Sequence, residues 1–219
     1  LTHDSTFEVL KAIRSHNNRI KMDDLVACRF GWALPRIMHL VASLRQRNPT
    51  TPIYTQKVNW SKAYCRDHYS ASAALECATQ CGDLLLIPLR LTFGGSSNAS
   101  EFCNCSETVC DITNELLHCA DWDPSETHSP IQNQIPSTPL SMDSSIPFAV
   151  ALPLAVDIPI ETIGKADNFI DDLIVVILGD SASNINRGNA AAALALELVG
   201  RPPHAQEPVT RGHLASFSK

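Results

Sequence analysis

Lys165-Ala-Asp-Asn-Phe-Ile-Asp-Asp-Leu-Ile-Val-Val-Ile-Leu178 decides how this chain reads. Two adjacent acids, Asp171 and Asp172, separate Phe169-Ile170 from the apolar run Leu173 to Leu178, which is rich in β-branched residues. Such residues favour strands. The acids then fall at a tight β-hairpin turn, where the chain reverses and side chains project together. Two carboxylates held at a rigid turn repel each other. A divalent cation relieves that repulsion, and an oxygen-rich site suits Mg²⁺. A plain solvated Asp-Asp turn satisfies the same spacing, because Asp is a common turn former.

Outward from this stretch, composition sets the frame. With 219 residues, 44% of them hydrophobic, the chain has material for one large domain or two small ones and can bury a core. No apolar run reaches the length of a bilayer span. The first residue is Leu1 and no targeting pattern follows, so the chain reads as a piece of a longer protein, intracellular, cytoplasmic or nuclear. The net charge of −6 is unevenly placed. Residues 1–70 hold eleven Lys/Arg against five Asp/Glu, and residues 71–219 hold six against eighteen. A basic front suits phosphates and an acidic rear suits metal, although ordinary solvated surface gives the same count. The eight cysteines include Cys77-x3-Cys81 and Cys103-x-Cys105-x4-Cys110-x8-Cys119. Without paired C-x-x-C spacing the zinc signal is weak, and without a secretory signal disulfides are not expected. Free cysteines packed as small hydrophobes are the simpler reading.

Along the chain, Leu1–Phe7 reads as extended. Pro35 opens a helix with Ile37, Leu40, Val41 and Leu44 on one face, and Asn48-Pro49 ends it. Pro52–Val58 reads as a strand running into Asn59-Trp-Ser-Lys-Ala-Tyr64, and one strand or a strand pair spans Asp83–Phe93. After Gly94-Gly95-Ser96-Ser97, a helix starts near Asn98 with Glu101 as capping-box partner. It runs to about Trp122 with Cys105, Val109, Ile112, Leu116 and Cys119 as its apolar stripe. Residues 123–160 contain seven of the fourteen prolines and six serines, the composition of a loop or insertion. Ser181–Gly188 reads as a polar turn and Ala190–Val199 as a helix closed by Gly200. This order suits an α+β fold, an antiparallel sheet with helices on one face.

Several blocks together resemble reverse transcriptases encoded by retroelements. Phe169-Ile-Asp-Asp172 is similar to the family's aromatic-x-Asp-Asp box, and Asn59-Trp-Ser-Lys-Ala-Tyr64 to its first palm box. Leu91-Thr-Phe-Gly-Gly95 with Ser100-Glu-Phe102 resembles the box before the long palm helix. Leu1–Phe7 is similar to the segment leaving the fingers, and Arg201-Pro202 through Glu207-Pro208 to Lys219 to the stretch after the palm. The resemblance covers nearly the whole chain. It implies a right-hand polymerase palm with partial fingers: residues 1–52 a fingers remnant and connecting helix, 53–122 the first half of the palm, 123–160 an insertion, 161–200 the catalytic hairpin and helix, and 201–219 a tail.

The resemblance also implies an RNA-directed DNA polymerase, a nucleotidyltransferase that joins deoxynucleoside triphosphates to a primer paired with an RNA or DNA template. Its intact site holds two ions, Mg²⁺ or Mn²⁺. Carried over residue by residue, Asp171 and Asp172 are catalytic metal ligands. Tyr64 is the aromatic under the incoming sugar, and Phe93 with Gly94 contacts template and base. The first palm box departs from the pattern, with Asn59 where the family has Asp. A neutral amide removes one of the charges that hold the second ion, and Asp67 lies too far along to replace it. The resemblance therefore implies an impaired enzyme that Asn59→Asp would help. The resemblance implies no membrane partner, and it implies a polyprotein of which this chain is expected to be one part.

Two other readings stand beside it. A decayed palm can persist as a non-catalytic remnant or binding module. Gly179-Asp180-Ser181 after an apolar strand is similar to a serine esterase block with Ser181 as nucleophile. Neither His204 nor His213 follows an Asp by three residues, as that block would require.

Overall fold

The computed structural model describes residues 14–21, 23, 25, 29–60, 62–126, 162–179, 181–199 and 213–214. In chain order these form α1 (His16–Arg19), α2 (Ala33–Arg47), β1 (Ile53–Asn59), α3 (Ala71–Glu76), β2 (Thr79–Cys81), β3 (Leu84–Leu86), α4 (Asn98–His118), β4 (Gly164–Phe169), β5 (Asp172–Leu178), α5 (Ala182–Val199) and β6 (His213–Leu214). The chain divides into two compact units, residues 1–28 with 61–105, and residues 29–60 with 106–219. Leu1–Phe7 and most of 123–160 and 201–219 lie outside the described residues; Pro124–Glu126 makes a 3-10 turn. No described helix is long and apolar enough to cross a membrane.

The second unit is built on a four-stranded antiparallel sheet in the order β4-β5-β1-β6. The strand expected from the apolar run is β5, and it lies at the centre. Ile37, Leu40 and Leu44 of α2 pack on Val176, with Ile53, Ile174 and Leu178 beside them. Side chains alternate along a strand, so Leu173, Val175 and Ile177 point the other way, and all three are buried. On that face Gly188 of α5 meets Ile177, and a Cβ there would overlap the isoleucine's Cδ1. Helices thus cover both faces of the sheet rather than one. The reason is β5 itself, whose apolar residues occupy both faces and need cover on each.

α2 runs as expected and ends at Asn48, whose backbone N–H and side-chain amide both donate to the Leu44 carbonyl. α4 stops at His118, earlier than expected, and its buried line includes Phe102, Cys103, Ser106, Val109, Cys110, Thr113 and Leu117. The predicted stripe flanks that line: Val109 is buried, but Cys105, Ile112, Leu116 and Cys119 are half-buried. Polar residues occupy the core line because each finds a partner: Thr113 donates to the Val109 carbonyl at 2.7 Å, and Ser106 accepts from Asn168 at 3.0 Å. α5 begins eight residues before the expected Ala190. The Ser181 hydroxyl accepts the Asn184 N–H, an N-cap that turns the polar stretch into helix.

β4 is an edge strand, and side chains of α4 close its free edge. Asn114 accepts the Ala166 N–H at 2.8 Å and donates to the Ala166 carbonyl at 3.0 Å, as a neighbouring strand would. Arg187 of α5 closes the other end of α4, donating to the carbonyls of Leu117, Cys119 and Trp122. A cation at a helix C-terminus also complements the macrodipole.

In the first unit, β2 and β3 pair as a small hairpin through Gly82, which has φ of 60°. The strand pair expected over 83–93 is thus shifted towards the N-terminus. The Asn98 side chain does not cap its own helix; its amide donates to the Thr92 carbonyl and the Tyr69 hydroxyl.

Candidate active site on the Asp-Asp hairpin

β4 and β5 close with Phe169 opposite Asp172, leaving the two-residue turn Ile170-Asp171. Ile170 sits at φ of 55°. A β-branched residue there is strained, at a cost of about 1–3 kcal/mol. Two features hold the turn. The Trp60 N–H donates to the Asp171 carbonyl at 3.0 Å, and the Phe169 ring stands edge-on to Phe30 at 6.0 Å. Both strap the tip of the hairpin to neighbouring segments of the same unit.

β1 pairs with β5 over seven residues, from Ile53 opposite Leu178 to Asn59 opposite Asp172. Paired residues share a face, so Phe169, Asp172 and Asn59 form one row across three strands. The Asn59 amide donates to Asp172 Oδ1 at 2.7 Å and lies 3.5 Å from Asp171 Oδ2. Lys57, two residues earlier on the same face, places its Nζ 2.6 Å from Asp172 Oδ2. Both oxygens of Asp172 are therefore engaged by side chains of β1.

This donor set does not fit a pair of divalent ions. Mg²⁺ takes oxygen ligands in an octahedron and is held through carboxylates. Here Asn59 turns donor hydrogens towards the acids, Asp172 is ion-paired, and only Asp171 keeps an oxygen away from β1. Among the described residues no group of three or more His, Cys, Asp or Glu side chains is arranged to hold a metal ion.

Tyr64, Phe93 and Gly94 come together in the other unit. The Tyr64 ring stands edge-on to Phe93 at 5.0 Å and to Phe102 at 5.5 Å. Phe102 is fully buried and Phe93 is largely exposed. Gly94 has φ of 96°, and its carbonyl accepts from the Asn17 amide at 2.8 Å, while Asn17 Oδ1 accepts the Ser96 N–H. Asp67 also belongs to this unit. Burial raises its pKa, and the Cys105 thiol that donates to it offsets this only in part.

The sequence reading missed Lys57. The signal was present: Thr55, Lys57 and Asn59 alternate on one face of a strand ending beside the acids. It also missed Arg36, whose guanidinium grips Asp167 with two bonds, at 2.5 and 2.7 Å. Those bonds raise the Arg36 pKa against the effect of burial. Of the esterase residues, Ser181 is exposed and Asp180 and His204 lie outside the described residues. The hydroxyl of Ser181 meets the Asn184 N–H and the Ser183 hydroxyl.

Of the described cysteines, Cys77, Cys103 and Cys110 are buried, and Cys65 and Cys81 are exposed. Burial pushes the Cys110 thiol up to about 12, so it acts as a small core residue donating to the Ala166 carbonyl. No protein-family model, no curated protein and no solved structure matches this chain.

Proposed function

We propose that this chain is a piece of a retroelement reverse transcriptase, a palm with part of the fingers, whose nucleotidyl-transfer site is impaired at Asn59. One observation carries the reading: the register that sets Asn59 opposite Asp172, with Asp171 at the adjoining turn. The palm reading requires the first palm box and the Asp-Asp box to meet on neighbouring antiparallel strands, though they are more than a hundred residues apart in sequence. Primer-template and deoxynucleoside triphosphate are the proposed partners, and Mg²⁺ or Mn²⁺ the ions of the family's intact site. In this chain Asp171 meets only the Asn59 amide, at 3.5 Å, among the side chains of β1, and Asp172 is tied more closely, to both Lys57 and Asn59. Those ties also favour the second reading, a non-catalytic palm-derived remnant.

Primer extension on a homopolymer template separates the two. The chain is used in excess at low salt, with Mg²⁺ and with Mn²⁺, as the parent, Asn59→Asp, Lys57→Val/Asn59→Asp, and the double variant with Asp171→Ala. The expected order is a silent parent, faint extension by Asn59→Asp, most by the double variant, and loss with Asp171→Ala. A folded double variant that adds no nucleotide leaves the remnant reading standing. Extension that survives Asp171→Ala removes the proposed site.

A further inference from the structure

We infer that Lys57 and Asn59 take the place of metal ions at the Asp-Asp hairpin, holding its carboxylates together without a divalent cation. The inference rests on the palm reading and deepens it: loss of the first palm acid is one half of a two-residue exchange. The other half is the lysine two positions earlier on the same strand.

The geometry separates the two contributions. Asp171 and Asp172 are adjacent at a turn that is already strained at Ile170. Two like charges so placed need a compensating partner. Asn59 supplies amide hydrogens at 2.7 Å to one acid and 3.5 Å to the other, a neutral bridge where the palm pattern has a third negative charge. Lys57 supplies the positive charge, at 2.6 Å on the Asp172 oxygen that Asn59 does not reach. The amide and the ammonium leave one formal negative charge on the group, whereas an Asp at 59 without Lys57 would leave three. A divalent ion entering at Asp171 would meet a nearby ammonium and the Asn59 amide hydrogens, and would have to displace both to reach Asp172. The ordinary alternative is a solvated surface ion pair, which contributes little. The Lys57 side chain is 45% exposed and that of Asp172 21%, and both Asp172 oxygens are engaged by β1.

It follows that Asn59→Asp alone rebuilds the ion site only in part, because Lys57 still occupies Asp172. Both positions have to change. The test is Mn²⁺ binding to the full 219-residue chain, read from the electron-paramagnetic-resonance signal of the free ion. Each variant is also melted in EDTA and in Mg²⁺. The parent should bind Mn²⁺ only in the millimolar range and melt at the same temperature in both solutions. Lys57→Val should melt lower in EDTA and recover part of the loss in Mg²⁺. Lys57→Val/Asn59→Asp should bind Mn²⁺ at least tenfold more tightly than Asn59→Asp, and adding Asp171→Asn should abolish the gain. Equal binding by Asn59→Asp and the double variant would overturn the role of Lys57, as would an unchanged melting temperature for Lys57→Val. Tight, Asp171-dependent binding by the parent would overturn the exchange but leave the palm reading intact. A folded double variant that binds no Mn²⁺ would overturn both.

Discussion

At the scale of single residues, what matters at the hairpin is which atoms each acid has left. Asn59 was placed with Asp171 and Asp172 only by what the family resemblance implies, and the β1–β5 register does set them side by side. The resemblance did not reveal that Lys57 would reach Asp172, since a lone lysine in a strand reads as a solvent-facing residue until its register is known. Asp67 raises a separate question of charge. Its Oδ2 is buried without a hydrogen-bond partner, and burial raises the pKa of the carboxyl. A folded-state pKa above the unfolded value means that the folded chain holds the proton more tightly. The favourable contribution is then complete below the unfolded pKa of about 3.9 and is lost as pH rises through the folded value. Asp67→Asn, which cannot ionise, should therefore raise the melting temperature at neutral pH and leave it nearly unchanged near pH 3. Melting curves of parent and variant across that range check the sign; a variant less stable at neutral pH would show that the carboxylate has a partner worth keeping.

At the scale of elements, each departure from expectation has a physical cause. Six consecutive apolar residues in β5 were enough to indicate a strand, but they also indicated cover on both faces, which a one-sided layer cannot supply. The α4 stripe is displaced because Ser106 and Thr113 satisfy their hydroxyls within the fold, and a count of apolar positions discards such residues. The start of α5 was hidden by Ser181–Gly188, whose polar composition matches a turn, although Ser181 caps and Gly188 lets the helix approach Ile177. The edge of β4 shows most plainly what sequence pattern cannot carry. Asn114 is one polar residue on a helix, yet it satisfies both backbone groups of Ala166. Asn114→Ala should cost about 1–3 kcal/mol, the range for leaving a buried backbone group without its partner. Urea unfolding of the two proteins measures it. Loss of amide hydrogen-exchange protection should concentrate at Ala166, and equal stability would mean that water replaces the asparagine there.

At the scale of the whole molecule, the two halves distinguished by charge in the sequence are not the two units of the fold. The basic segment 29–60 joins the acidic segment 106–219 in one unit, which holds ten Lys/Arg against fifteen Asp/Glu. The other unit holds seven against eight. The basic front that reads in sequence as suited to phosphates is thus distributed, and some of it is internally neutralised: Arg29 pairs with Glu107 and Asp111, Arg36 with Asp167, and Lys57 with Asp172. Affinity for nucleic acid depends on cations that replace counterions on phosphates, each adding about 0.7–0.9 to the slope of log affinity against log salt. A chain with a net charge of −6, and with three of the five cations of segment 29–60 in ion pairs, should bind a primer-template weakly. Fluorescence anisotropy at a series of salt concentrations should give a slope no steeper than about −3 and little binding near 0.15 M salt. A slope near −6, or tight binding at that salt, would mean that the paired arginines release their carboxylates to take phosphates. The acidic surface would then be a set of exchangeable partners rather than a barrier to nucleic acid.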